Sequence, residues 1–196
     1  MKIITIANQK GGVAKSTTAA AILSCLRRTG KNVLGVDADP QGSLSYLLGA
    51  DPNGKTLYDV LNGRPAFKWQ ETQQGDIFAG DKRLASVTVP VDFFRRKLGH
   101  LVRDYIVIDT GPGVSSLLLS ALDAADLVII PAKANAGSLR GIMDTVDTLD
   151  AIFGTRMTEY GVLLTQIHGR PTLAEQAFTG AIQQPARIVE SIYTKP

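Results

Sequence analysis

Nine residues near the start of the chain limit the folds open to the rest of it. Lys10 to Thr18 read KGGVAKSTT. Before them stands Lys2-Ile3-Ile4-Thr5-Ile6-Ala7-Asn8, an apolar, β-branched run of the length of a short buried strand. After them stands Ala19 to Leu26, rich in small residues and suited to a helix. Strand, glycine loop, lysine, hydroxyl and helix make the layout of a phosphate-binding loop. Backbone N–H groups at a helix N-terminus, reinforced by the helix dipole, cradle anionic oxygens. Lys15 is placed to reach the β- and γ-phosphates, and Ser16 to set its hydroxyl on Mg²⁺. The common pattern G-x-x-x-x-G-K-[ST] has glycine where this chain has Gln9 and Ala14. The Ala14 Cβ is tolerable only if the backbone there keeps φ negative.

The rest of the chain alternates in the same way. Asn32 to Asp37 reads as a second buried strand, Ser43 to Leu48 as a short helix, and Thr56 to Gly63 as a helix capped by Thr56. Ile77 to Gly80 suggests a strand, and Val91 to Val102 a helix that carries Arg95, Arg96, Lys97 and Arg103. Those cations suit a solvated helix face better than a nucleic-acid surface. Trp69, the only tryptophan, reads as a core aromatic, in a stretch expected to be irregular from 64 to 75. Tyr105 to Asp109, Leu127 to Pro131 and Gly161 to Thr165 read as strands, Val114 to Leu122 and Ser138 to Phe153 as helices, and Leu173 to Ile182 as a further helix candidate. Repeated strand–helix–strand units predict an open, doubly wound, mostly parallel α/β sheet flanked by helices, and with the Lys10–Thr18 loop the layout resembles the P-loop NTPases. With 196 residues, one domain spanning 1–196 is expected.

Composition narrows the function classes. Cys25 is the only cysteine, which leaves no intramolecular disulfide and no multi-cysteine metal or cluster site, and points to a reducing compartment. No run is long and apolar enough for a membrane span, and Met1 leads into a strand with no secretory pattern. The net charge of +3 leans weakly toward an anionic partner. The excess lies in residues 1–100, with 14 Lys/Arg against 8 Asp/Glu, while residues 101–196 hold 7 against 10.

Ligands in open parallel sheets sit at the carboxyl ends of the strands. The candidate chemical groups fall there: the loop after the first strand, Asp37 and Asp39 after the second, and Asp109 after Tyr105-Ile106-Val107-Ile108. An apolar run ending in aspartate is the Walker B arrangement, whose carboxylate orients a metal-bound water. Asp37 and Asp39, two apart at a strand end, are expected to face the γ-phosphate together, one near Mg²⁺ or Lys15 and the other orienting the attacking water.

The segments NQKGGVAKSTTA, VDADPQG, TLYDVLNG, DYIVIDTGPG, ADLVIIPAKANAGSLRG and GVLLTQ resemble the successive signature blocks of the ParA/MinD-type P-loop ATPases with a deviant Walker A loop, and most of all the ParA partition ATPases. The likeness runs over about residues 1–165; residues 166–196 fit it poorly, as an atypical or shortened C-terminal part, and Gly111-Pro112 stands where Pro-Pro is commoner. The resemblance implies ATP and Mg²⁺ as cofactors, with Lys10, Gly11, Gly12, Val13, Ala14, Lys15, Ser16, Thr17, Asp37 and Asp109 around the nucleotide. It implies Ser16, Asp39 and Asp109 about the metal, and Lys10, Lys15 and Asp39 in catalysis, with Lys10 reaching the nucleotide of a partner protomer. It further implies a homodimer closed by ATP, non-specific binding of double-stranded DNA, a ParB-like or other adaptor protein that stimulates slow hydrolysis, and a cytoplasmic, nucleoid-associated, non-membrane protein that drives plasmid or chromosome partition or cargo positioning. Arg170 resembles a DNA-contacting arginine of some members and reads equally as an ordinary surface arginine. A MinD-like positioning ATPase, a ligase of the dethiobiotin-synthetase kind and a non-hydrolysing nucleotide switch are the other readings; the basic terminal amphipathic helix needed for the first is not evident, and Lys10 with the DPQG block argues against the second.

Overall fold

The computed structural model describes residues 1–62, 68–134, 136–153, 159–166 and 187–188. β-Branched and apolar runs form the strands β1 (Lys2–Ile6), β2 (Val33–Ala38), β3 (Gln70–Thr72), β4 (Gly75–Phe78), β5 (Tyr105–Thr110), β6 (Leu127–Lys133), β7 (Glu159–Thr165) and β8 (Arg187–Ile188). The helices are α1 (Lys15–Arg28), α2 (Ser43–Leu47), α3 (Leu57–Leu61), α4 (Phe93–Leu98), α5 (Ser116–Ala124) and α6 (Ala136–Phe153), with one 3₁₀ turn at Lys82–Ser86.

The strands make one sheet in the order β3-β4-β2-β5-β1-β6-β7-β8, parallel throughout except for the β3–β4 hairpin. Helices cover both faces, so alternate side chains of the central strands β1, β2, β5 and β6 are buried on opposite sides. Ile4, Ile6 and Val107 pack with Ala19 and Leu23 of α1 and Leu44 of α2. Ile3, Ile106 and Ile108 pack on the other face with Phe93 and Phe94 of α4 and Leu117 of α5. Farther along, Val128, Ile130 and Val162 pack against Ile142 and Leu149 of α6. A doubly wound sheet results, as the sequence predicts.

Local chemistry sets the ends of several elements. Thr56 and Asp59 form a reciprocal capping box at α3, and Ser115 caps α5 by accepting the Leu118 N–H at 3.1 Å. Gly30, at φ +78°, stops α1. Two expectations change. The stretch expected to be irregular holds β3, and the predicted helix over 91–102 is only six residues, Phe93–Leu98. Its arginines are drawn into ion pairs: Arg95 with Asp123 (2.5 Å), Arg96 with Asp92 (3.2 Å), and Arg103 with Asp76 (2.7 Å). The Arg103 guanidinium also lies 4.2 Å from the centre of the Trp69 ring, which meets Phe78 edge-on at 6.5 Å. These groups seal the hairpin to the sheet. Among the described residues no helix is long and apolar enough to cross a membrane. The predicted helix at Leu173 to Ile182, and Arg170, lie outside the described residues.

Candidate active site

β1 sits between β5 and β6, and its carboxyl end opens onto the loop that leads into α1. That helix begins without help from its own side chains. Its N-cap is Ala14, no side chain caps it, and its first turn contains no acid. The leading N–H groups of a fourteen-residue helix therefore face an open cleft of about 680 Å³, bordered by Gly11, Gly12, Ser16, Thr17, Asp39 and Pro112 among others. Uncapped N–H groups at a helix start, with glycines in front, form a cradle for an anion.

Ala14 corrects one expectation. Its φ is +67° and its ψ +33°, a left-handed conformation and not the negative φ that an alanine prefers. The strain, about 1 kcal/mol, is imposed by the turn from loop to helix, where the commoner sequence has glycine. The Ala14 carbonyl accepts both the N–H and the hydroxyl of Thr18, at 2.9 and 2.8 Å, which fixes the start of the helix.

Lys15 is buried, and its ammonium donates to the Lys10 carbonyl at 3.1 Å. Burial lowers its pKa, while Asp109 and Asp39 act to raise it. Asp109, at the end of β5, is fully buried, and neither carboxylate oxygen has a hydrogen-bond partner. Its pKa is pushed up to about 7, first by burial, with Asp37 and Asp39 adding to the rise and Ser16 and Lys15 opposing it. The Ser16 hydroxyl acts on it from nearby but outside hydrogen-bond geometry. A buried carboxylate with empty lone pairs, beside a hydroxyl and below a phosphate cradle, fits a hard divalent cation such as Mg²⁺, which takes one or two protein oxygens and fills its remaining positions with water and phosphate oxygens. Ser16 and Asp109 are the residues that could hold it. Among the described residues no set of three or more His, Cys, Asp or Glu forms a self-sufficient metal cage.

Asp37 and Asp39 separate in role. Asp39 borders the cleft, with Oδ1 accepting the Gln41 N–H at 2.9 Å. Asp37 does not share that face. Its Oδ2 accepts the Ser45 N–H (2.8 Å) and the Ser45 hydroxyl (2.6 Å), and its Oδ1 accepts the Asp39 N–H (3.2 Å). Burial raises its pKa to about 6, against those hydrogen bonds. Both oxygens are thus committed to holding α2 and the Asp39 turn, so the expectation that the two carboxylates face the phosphate together is replaced by one facing carboxylate and one support. Ser45, which also accepts the Gly80 N–H at 2.7 Å, was missed in the sequence.

A family described as an AAA domain matches residues 1–159. The chain is 33% identical over 197 aligned residues to the chromosome partitioning protein ParA of Caulobacter vibrioides, covering 90% of this chain and 73% of that one. It is 34% identical to the chromosome-partitioning ATPase Soj of Thermus thermophilus, covering 88% and 72%. The chain belongs to the ParA/MinD-type P-loop ATPases. A solved cobyrinic acid a,c-diamide synthase of Mycobacterium smegmatis, with bound ATP analog and magnesium, superposes with a TM-score of 0.84 at 29% identity over 96% of this chain and 84% of that one.

For a chain of this family, the fold brings the sequence-assigned residues to one end of the sheet. Gly11, Gly12, Ala14, Lys15, Ser16, Thr17 and Asp39 border the cleft. Asp109 lies near enough to Lys15 and Ser16 to feel both. Val13 turns inward, 1% exposed, and its carbonyl accepts the Thr165 hydroxyl at 3.1 Å. Lys10 is half-buried, its N–H donating to Asn8 Oδ1 at 2.8 Å.

Proposed function

We propose that the protein is a partition-type ATPase that binds Mg·ATP in the cleft at the start of α1, closes on a second copy of itself, binds DNA without sequence preference and hydrolyses ATP to move or position DNA or another large cargo. The observation that carries the reading is the pairing of an uncapped, glycine-led helix N-terminus and buried Lys15 with a buried, unpartnered Asp109. The partition proteins to which the chain is similar, and the bound ATP analog and magnesium of the synthase, support it.

In this reading the loop N–H groups and Lys15 bind the β- and γ-phosphates. Ser16 and Asp109 hold Mg²⁺, with Asp39 beside them; the ion neutralises charge that builds on the phosphates as the bond breaks. Asp39, held by the Gln41 N–H and by Asp37 behind it, orients the attacking water. Water adds to the γ-phosphorus, the bond to the bridging oxygen breaks, and ADP and phosphate leave. Lys10 reaches the nucleotide of the partner protomer. An adaptor protein stimulates turnover, and Arg170 contributes to the DNA surface.

The test measures ATP turnover, ATP-dependent dimerisation, and DNA retention at low and moderate salt. Turnover lost in Lys15→Ala, a dimer lost or inactive in Lys10→Ala, and DNA retention that needs ATP and weakens with salt are expected. Turnover that survives Lys15→Ala overturns the site. ATP binding without turnover turns the reading to a nucleotide switch, and DNA binding indifferent to ATP and salt overturns partition.

A further inference from the structure

Gln9 stands where a phosphate-binding loop usually has glycine, and the phosphate chemistry gives it no part. Its amide nitrogen, backbone N–H and carbonyl each have a partner in another segment. Its Nε2 donates to the Asp144 carbonyl and to Thr148 Oγ1, both at 2.8 Å. Its backbone N–H donates to Thr145 Oγ1 at 3.4 Å, and its carbonyl accepts the Gly113 N–H at 2.9 Å. The first three partners lie on α6, and the fourth lies just beyond β5, which carries Asp109.

The partners themselves are oriented. Thr148 gives its proton to the Asp144 carbonyl at 2.7 Å, and Thr145 gives its proton to the Gly141 carbonyl at 2.7 Å. Both hydroxyls are therefore left as acceptors toward Gln9, and only the NH₂ side of the amide can face α6. Beside this contact, a Cβ on Gly141 would fall 2.7 Å from Asn8 Oδ1 and 3.1 Å from Lys10 Cβ, so helix and loop approach as closely as glycine permits. The next residue after Gln9 is Lys10, whose carbonyl holds the Lys15 ammonium.

We propose that Gln9 is a positioning residue that fastens the phosphate loop to α6, so that α6 sets the place of the Lys10 carbonyl and hence of Lys15. The inference rests on the ATPase reading for its effect on turnover, but the fastening itself does not. A loop released from α6 keeps its glycines and Lys15, so it still binds phosphate, but it holds the γ-phosphate less well in line. Misplacement of about 1 Å costs on the order of 10²-fold in rate.

The experiment uses the full chain as wild type, Gln9→Ala, Thr148→Val and the double variant. Hydrogen exchange in peptides covering residues 8–18 is followed without nucleotide, and kcat and KM are measured with Mg·ATP. Loop exchange faster by about tenfold in Gln9→Ala, with the exchange of β1 and β5 unchanged, is expected. So is a kcat lower by about tenfold or more with KM within about threefold. Thr148→Val shifts both readouts in the same direction by less, and the double variant is no worse than Gln9→Ala, because both changes remove one shared bond. Loop exchange unchanged in Gln9→Ala overturns the fastening. Faster exchange with unchanged kcat, or losses that add in the double variant, overturns the positioning role. A wild type that does not turn over ATP overturns the ATPase reading, and the exchange results then decide the fastening alone.

Discussion

The Lys15 ammonium lies 3.1 Å from the carbonyl oxygen of Lys10, five residues back in the same loop. The loop thus curls around its own cation. An ammonium of this kind is compact and can swing from that carbonyl to a phosphate oxygen. A guanidinium is planar, larger and carries five donors, which a single carbonyl cannot satisfy. Lys15→Arg is therefore expected to fail as a replacement despite its charge, with ATP turnover down by about 10² or more. Turnover within a few-fold of wild type would show that charge alone suffices there.

Asp109 makes stability depend on pH in the metal-free protein. Its folded pKa, about 7, lies above the ordinary 3.8. Between those values the folded chain holds a proton that the unfolded chain has released. Stability is therefore highest below about pH 4 as far as this group is concerned and is lost as pH rises toward 7, by a few kcal/mol in all at about 1.4 kcal/mol per pK unit. Asp37, raised to about 6, adds to the same slope. Asp109→Asn is expected to match wild type near pH 4 and to exceed it by a few kcal/mol at pH 8, at about 1.4 kcal/mol per pK unit, while losing turnover. Urea unfolding at the two pH values checks this; a variant less stable at pH 8 would contradict an unpaired buried carboxylate.

Mg²⁺ supplied with ADP should reverse that pH trend. An ion on Asp109 favours the ionised carboxylate, so the rise in melting temperature on adding Mg·ADP is expected to be larger at pH 8 than at pH 6. Melting curves with ADP alone and with Mg·ADP separate the ion from the nucleotide. An equal rise at both pH values would remove Asp109 from the metal site.

Ala14 carries the usual penalty of a side chain in the left-handed region, at φ +67°. Ala14→Gly removes it, offset in part by the greater freedom of glycine in the unfolded chain. A gain of up to about 1 kcal/mol in unfolding free energy is expected, without loss of turnover. A loss of stability would mean that the Ala14 methyl group makes packing contacts that outweigh the strain.

Gly80 is needed for close approach rather than for a special φ. A Cβ there would lie 2.8 Å from the Asp39 carbonyl and 2.9 Å from Asp37 Cγ. Gly80→Ala must push back the turn that carries Asp39 or break the bond from its own N–H to Ser45. The expected cost is about 2 kcal/mol or more, together with a lower kcat. Unchanged turnover would show that the Asp39 turn yields without consequence.

Much of the centre of this fold could be read along the chain. β1, the loop and α1 are contiguous, so residue order alone put Lys15 and Ser16 at a helix start. β5 and β6 are uninterrupted apolar runs, and Thr56 with Asp59 signals its own cap. The margins were less legible. β3 is three half-exposed or exposed residues held only by pairing with β4, and β8 is a two-residue strand against β7. The helix α4 ends at Leu98, with Gly99 as its C-cap, and Arg95 pairs with Asp123 of α5, neither of which the apolar spacing shows.

The sequence by itself determined that a phosphate cradle would stand at the carboxyl end of a parallel sheet, with Asp39 and Asp109 near it, because those signals are local: periodicity, glycine placement and the order of strand and helix. The tertiary structure decided how the groups share the work. Asp37 became a support because Ser45 packs under it, Ala14 turned left-handed because the helix must start there, and Gln9 acquired partners on a helix 135 and 139 residues away. Such bonds form only when the sheet has closed, and the distance between their partners along the chain leaves no local pattern from which to read them.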